Sequence, residues 1–205
     1  MSKPLESLTG RAAVLLEDGI DTDVIFPARF LLRMEKEGLG ECLFADRISK
    51  TTEDAAGAFS LERKDGEAVQ ILLAGAQFGC GSSREHAVWS LVDFGIRAVI
   101  APSFGEIFSN NSARNGLAAI CLDRDQVEYL AQESAVADLT VDLLAKTVTI
   151  QAGKTFAFDI GEGDRQALLN GWDEIDMIHA AHSDDVENFE SGYRERRPWL
   201  FKDQA

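Results

Sequence analysis

The segment Gln77-Phe78-Gly79-Cys80-Gly81-Ser82-Ser83-Arg84-Glu85-His86 gathers groups that can do chemistry at close spacing. Gly75, Gly79 and Gly81 allow a backbone to approach a ligand closely. The Arg84 guanidinium can grip a carboxylate with two parallel hydrogen bonds. The hydroxyls of Ser82 and Ser83 become bases or nucleophiles only where their anion is stabilised. Ser82 and Glu85 have capping-box spacing, so a helix is expected to start here with its first N–H groups aimed at the loop, an arrangement that favours anions. An ordinary helix cap needs the same spacing. The segment is not a phosphate-cradling G-x-x-x-x-G-K-[ST] loop, and it misses G-x-G-x-x-G because Arg84 stands at the third glycine. Taken alone, these residues predict an anion site at a helix N-terminus and no particular reaction. His86 reads as a packed or capping residue on the helix ahead of a catalytic base. His179 and His182 fall in no recognisable motif.

Cys42, Cys80 and Cys121 are scattered, and no C-x-x-C pair exists. That spacing suits small core or loop residues, not a zinc or iron–sulfur site held by this chain alone. The odd count fits a reducing compartment.

The elements that must position the loop follow from the apolar pattern. Ala12–Leu16 and Val69–Ala74 read as buried strands. Between them, Pro27 and its neighbours mark a turn, Arg29–Glu37 reads as a short helix ending before Gly38 and Gly40, and Ser49–Gly66 as mostly connecting structure. Ser83–Phe94 has helical spacing, with Ala87, Val88, Leu91 and Val92 on one side, and Gly95 suits a left-handed C-terminus. Arg97–Ala101 is a strand ended by Pro102. A short helix from Phe104 to about Asn110, a strand at Leu117–Leu122 and a helix at Asp125–Glu133 follow. The alternation predicts parallel pairing with right-handed crossovers. Leu139–Leu143, Thr147–Ile150 and Thr155–Phe158 alternate with period two, as an antiparallel meander does. A final helix is expected, capped by Ser183, with Asp184, Asp185 and Glu187 in its first turn and Arg194, Arg196 and Arg197 near its end.

The chain has 205 residues, enough for one domain with a real core. The formal net charge of −15 argues against a nucleic-acid partner and against docking on an anionic membrane. No apolar run approaches the ~20 residues of a membrane span, and the first residues lack the apolar core of a signal peptide. A cytoplasmic location is the expectation.

The signature segment Gln77–Ala87 resembles that of the aconitase superfamily's swivelling domain. Asp21-Thr22-Asp23-Val24-Ile25-Phe26-Pro27-Ala28-Arg29-Phe30-Leu31 is similar to that family's N-terminal motif. Ala101-Pro102-Ser103-Phe104-Gly105-Glu106-Ile107-Phe108, with Asn110 and Asn111, resembles the segment that follows the signature, and Asn170-Gly171-Trp172-Asp173 a C-terminal element. The resemblance runs from about Gly10 to about Gly171 in the family's order. It implies an α/β fold of three β/β/α layers with mixed parallel and antiparallel strands, filling residues 1–205 as one domain with a helical extension over about 163–205. It implies a hydro-lyase subunit active only with a large partner chain that holds a [4Fe–4S] cluster, this chain binding none by itself. The substrate would be a small dicarboxylate, an isopropyl-substituted malate isomerised by dehydration and rehydration in leucine biosynthesis. Ser82 would remove the proton from carbon, Ser83 and Arg84 would bind substrate oxygens, and Asp23 would be an active-site carboxylate. Leu32 would face the substrate's alkyl group where tricarboxylate-using relatives carry arginine, with Arg33 one place further. A citraconate, dimethylmaleate or homoaconitate type of hydratase is the alternative within the class. A non-catalytic anion-binding module is the alternative outside it.

Overall fold

The computed structural model describes residues 2–33, 35–48, 61, 69–151 and 153–201. In chain order the elements are β1 (Ser7–Gly10), β2 (Ala12–Leu15), α1 (Thr22–Ile25), α2 (Ala45–Ile48), β3 (Ile71–Ala74), α3 (His86–Phe94), β4 (Ala98–Ala101), α4 (Glu106–Arg114), β5 (Ala118–Cys121), α5 (Arg124–Glu133), β6 (Leu139–Asp142), β7 (Thr147–Ile150), β8 (Thr155–Ala157), α6 (Glu162–Asn170) and α7 (Glu174–Arg196).

The described residues form two four-stranded sheets. One is parallel, in the order β2-β3-β4-β5, and the other antiparallel, in the order β1-β6-β7-β8. The alternation of side chains along β3 explains why the parallel sheet sits between two partners. Ile71 and Leu73 face a core shared with Leu139, Val141, Val148 and Ile150 of the antiparallel sheet and Val127 and Leu130 of α5. Leu72 and Ala74 face the other way, onto Ala87, Val88 and Leu91 of α3 and Phe108 of α4. The layers are thus sheet, sheet and helix, and the mixed three-layer class expected from the sequence is observed.

The meander is a register of short-range pairs, Leu139↔Ile150 to Asp142↔Thr147 and then Thr147↔Ala157. Its turns need left-handed backbone, which Lys146 (φ 55°) and Gly153 (φ 104°) supply. Gly95 ends α3 at φ 111°, as expected. The strand β1, pairing with β6 from Ser7↔Asp142 to Gly10↔Leu139, was not apparent in the sequence.

Two local expectations are corrected. The Arg29–Glu37 stretch is no α-helix: a 3-10 turn covers Ala28–Phe30, and a second covers Gly40–Cys42. Phe30 and Leu31 instead fold back on Phe26, Leu39 and Cys42, so their burial is local and needs no helical stripe. The last helix begins at Glu174, where Asp173 and Asp176 form a reciprocal capping box, not at Ser183. It breaks at His182 (φ −133°), which is where the Ser183 signal lies, and Arg194 and Arg196 do occupy its last turn. The expected connecting stretch Ser49–Gly66 lies outside the described residues, Leu61 excepted. Among the described residues no helix is long and apolar enough to cross a membrane.

Candidate active site

Beyond their carboxyl ends, β2, β3 and β4 continue in the same lateral order as a three-ply ribbon of loops. The Gly79 N–H donates to the Ile20 carbonyl at 2.7 Å, and the Thr22 N–H donates to the Cys80 carbonyl at 3.0 Å. On the opposite edge, Phe78 N–H donates to Ser103 O (3.1 Å) and Gly105 N–H to Phe78 O (2.9 Å). Isolated parallel bridges at Asp21↔Cys80 and Phe78↔Phe104 mark the same pairing. The carboxyl edge of a parallel sheet is where open α/β proteins bind ligands.

Two glycines make this ribbon possible. Gly79 has φ 72°, and a Cβ there would lie 2.3 Å from Cγ of the buried Phe108 ring. A Cβ on Gly105 would meet the Gly79 carbonyl at 2.5 Å and Cys80 Cα at 2.9 Å. Gln77 holds φ 58° without being glycine. Its backbone N–H and its side-chain amide both donate to Ser103 Oγ, at 2.9 and 3.0 Å.

The ribbon brings two of the sequence motifs face to face. Ser82 Oγ lies 2.7 Å from Thr22 Oγ1, and the Ser82 N–H donates to the same Thr22 oxygen at 3.3 Å. Arg84 forms an ion pair with Asp23 through Nη1 and Oδ1. Asp21 caps α1 by accepting from the Val24 N–H at 2.8 Å, which fixes the orientation of Thr22 and Asp23. Ser82, Arg84 and Asp23 are therefore brought together, and Ser83 beside them is exposed.

The expected helix cap is corrected. α3 begins at His86, with Glu85 at the N-cap position. Ser82 stands outside the helix, and its hydroxyl is engaged with Thr22. The capping-box spacing was met by a loop whose serine has a different partner. Nor is Arg84 a bare positive charge, since Asp23 occupies part of its fork.

Leu32 and Arg33 are placed otherwise. Leu32 is 92% exposed. Arg33 turns back on its own loop, donating to the Gly38 carbonyl at 3.2 Å and lying 3.9 Å from Glu41. Neither is in contact with Ser82 or Arg84 through any of these bonds.

Two residues that tie this edge together escaped the sequence reading. Thr22 is one, although it lies inside a motif that was noticed. Asn115 is another: its amide donates to Glu85 Oε1 at 2.7 Å, and its carbonyl accepts from Trp89 Nε1 and Lys36 Nζ, both at 3.1 Å. Lys36 also lies 4.6 Å above the Trp89 ring, so the loop that carries Leu32 is fastened to the start of α3. No spacing rule signals an asparagine 30 residues from its partner. His86 packs its ring against Phe26 and Trp89 (centroids 5.6 and 4.7 Å), and its buried Nε2 has no hydrogen-bond partner among the described residues. Beneath the ribbon, Arg124 and the Ala76 N–H hold the Asp18 carboxyl below its ordinary pKa, and Arg47 does the same for Glu17.

Residues 2–125 match the family model for the aconitase C-terminal domain. The 3-isopropylmalate dehydratase small subunit of Cupriavidus necator is 42% identical over 207 residues, covering 98% of this chain and 99% of its own. The chain belongs to the family of 3-isopropylmalate dehydratase small subunits. A member from Geobacillus kaustophilus is 45% identical over 184 residues, 88% of this chain and 93% of its own. The crystal structure of a 3-isopropylmalate dehydratase from Methanocaldococcus jannaschii superposes with a TM-score of 0.65 at 26% identity, covering 89% of this chain and 99% of the other. The mixed α/β architecture described above is therefore the aconitase-type swivelling domain. The name of these relatives implies a larger partner subunit.

A resident iron–sulfur cluster does not fit this chain's own donors. Among the described residues no group of three or more His, Cys, Asp or Glu side chains converges. Cys42 is buried beside Leu39 and Phe26, Cys80 lies in the signature loop, and Cys121 ends β5.

Proposed function

We propose that this chain is the small subunit of a 3-isopropylmalate dehydratase and that it supplies the base and part of the substrate clamp. The reaction is removal of water from 2-isopropylmalate to give an enoic diacid, then re-addition to give 3-isopropylmalate, a step of leucine biosynthesis. The observation that carries the reading is the convergence of Ser82 with the Arg84–Asp23 pair at the carboxyl edge of the parallel sheet. In this reading Ser82 Oγ takes the proton from substrate carbon. Arg84 and Ser83 bind carboxylate oxygens, and Asp23 holds the guanidinium in plane until substrate arrives. The Arg84 and Asp23 side chains are 26% and 52% exposed, so the site is open to water in the isolated chain. A larger, cluster-bearing subunit closing over it would exclude that water, and electrostatic contacts strengthen when water leaves. The cluster and its chemistry belong to that partner in this proposal, and the protein works in the cytoplasm.

The substrate class rests on the loop after Pro27. Leu32 presents an alkyl side chain, and Arg33 is engaged with Gly38 and Glu41. That arrangement suits an isopropyl substituent better than a third carboxylate. The test is turnover by the complex reconstituted with its large subunit. Isopropylmalate should be the preferred substrate over citraconate, dimethylmaleate and homoaconitate. Preference for any of the other three would reassign the substrate, and no turnover of any would favour a binding module.

A further inference from the structure

We propose that Thr22 is the positioning residue for the base, donating the hydrogen bond that holds the Ser82 oxygen in its reactive, proton-accepting form. The inference rests on the assignment of Ser82 as base. It comes from one contact pair and from the buried state of a hydroxyl that no motif assigns.

Thr22 is 2% exposed, and its hydroxyl meets two atoms of the same residue. The Ser82 N–H donates to Thr22 Oγ1 at 3.3 Å, and Ser82 Oγ lies 2.7 Å from that oxygen. A hydroxyl has one hydrogen to give and two lone pairs. With one lone pair taken by the Ser82 amide, Thr22 keeps its hydrogen and a second lone pair for the short contact, across which either hydroxyl can donate while Ser82 is neutral. A closed circuit results, from the Ser82 N–H through the Thr22 hydroxyl to Ser82 Oγ. When Ser82 Oγ is an alkoxide it can only accept, so Thr22 must be the donor. When it has taken a proton from carbon, that O–H can donate back to Thr22 or to a passing oxygen. The anion therefore gains a fixed donor that costs nothing to orient at the moment of reaction.

The backbone holds Thr22 rigid for this task. Its N–H donates to Cys80 O at 3.0 Å, its carbonyl accepts from the Phe26 N–H at 2.9 Å, and Asp21 caps the turn that carries it. The Ser82 side of the circuit is set by Gly81, whose φ of 99° turns the chain toward Thr22. Asp23 and Arg84, one and two residues from the pair, are engaged with each other and leave the circuit to the two hydroxyls.

The test uses the full chain assembled with its large subunit. Thr22→Val keeps the shape and removes the donor. It should lower kcat about 100-fold, the typical loss of one anion-stabilising donor, with KM little changed. Loss of the donor raises the pKa of Ser82, so the rising limb of kcat against pH should move to higher pH. Thr22→Ser keeps the hydroxyl and should restore both kcat and the limb. If Thr22→Val does not assemble, Thr22→Ala replaces it, and an inactive but assembled Thr22→Ser overturns the proposal by itself. Wild-type kcat and pH profile in Thr22→Val or Thr22→Ala also overturn it, provided Ser82→Ala is inactive. Full activity in Ser82→Ala would instead remove the assignment of Ser82 as base, and the Thr22 inference with it.

Discussion

Three glycines allow the steric and conformational demands on the loop ribbon at the candidate site to be separated. Gly95 has φ 111° and open space around a would-be Cβ. Gly95→Ala should therefore show the left-handed penalty alone, about 1–2 kcal/mol. Gly105 is the converse, with an ordinary φ of −61° but the Gly79 carbonyl 2.5 Å away from its Cβ position. The obstacle is backbone, which cannot rotate aside as a side chain can. Overpacking of this kind costs about 1–3 kcal/mol, offset by about 0.4–1 kcal/mol because alanine stiffens the unfolded chain. Gly79 combines both, with φ 72° and the Phe108 ring at 2.3 Å. That ring is wedged between Phe78 and Phe104, at centroid distances of 5.4 and 6.0 Å, and has little room to yield. Gly79→Ala should cost about 2–5 kcal/mol, the sum of the two penalties. Urea unfolding of the isolated chain measures the stabilities, and turnover by the assembled complex measures the site. Gly95→Ala should lose stability and keep kcat, because it lies at the far end of α3. Gly105→Ala and Gly79→Ala should lose both, since relieving the clash shifts Cys80 and hence Ser82. A fully stable Gly105→Ala, or a Gly79→Ala no worse than Gly95→Ala, would refute the account of the ribbon as a tightly packed backbone layer.

Three further outcomes are expected. Arg84→Lys keeps a charge but loses the planar fork, so kcat/KM should fall about 10- to 100-fold, with part of the loss in KM; steady-state kinetics of the complex check it, and unchanged KM would count against substrate binding by Arg84. The folded-state pKa of Asp18 is lowered by Arg124 and the Ala76 N–H, so its stabilisation is present above the ordinary Asp pKa and is lost as pH falls through the lowered value. Asp18→Asn should therefore be less stable than wild type at neutral pH, with the difference shrinking on acidification, as thermal melts across pH would show. The isolated chain, purified anaerobically with iron and sulfide, should remain colourless; a stoichiometric iron–sulfur chromophore on it would overturn the assignment of the cluster to the partner.

Much of the fold was legible because its signals are local. The buried runs at Ile71–Ala74 and Ala98–Ala101, the period-two meander and the glycine after α3 each follow from neighbours within a few residues. What failed depended on distant partners. Four residues at Ser7–Gly10 carry too little pattern to mark a strand, and only the edge of β6 makes them one. The Ser82 spacing satisfied a capping rule, but a threonine 60 residues upstream took the hydroxyl instead. Arg29–Glu37 was read as a short helix, yet Phe30 and Leu31 are half-buried in a local cluster with Phe26, Leu39 and Cys42. The candidate residues Ser82, Arg84 and Asp23 were singled out through their motifs, and the Ser82–Thr22 and Arg84–Asp23 contacts that bring those motifs together belong to the tertiary structure.

The chain leaves the antiparallel sheet at Gly10 and enters the parallel sheet at Ala12, so the first two strands serve different layers. This split sets a timetable for folding. All four strands of the parallel sheet, and every residue of the candidate site, have been made by the time Cys121 emerges from a ribosome. β1, though synthesised first, must wait for β6; the Thr9–Thr140 hydroxyl pair spans 131 residues. Until then one face of the parallel sheet and the whole edge of β1 lack their cover. Closing so long a loop is slow, and an uncovered apolar sheet invites association with other chains. Folding intermediates of this chain should therefore hold a formed loop ribbon beside an incomplete core, with aggregation beginning from the face that β6 and β7 later cover.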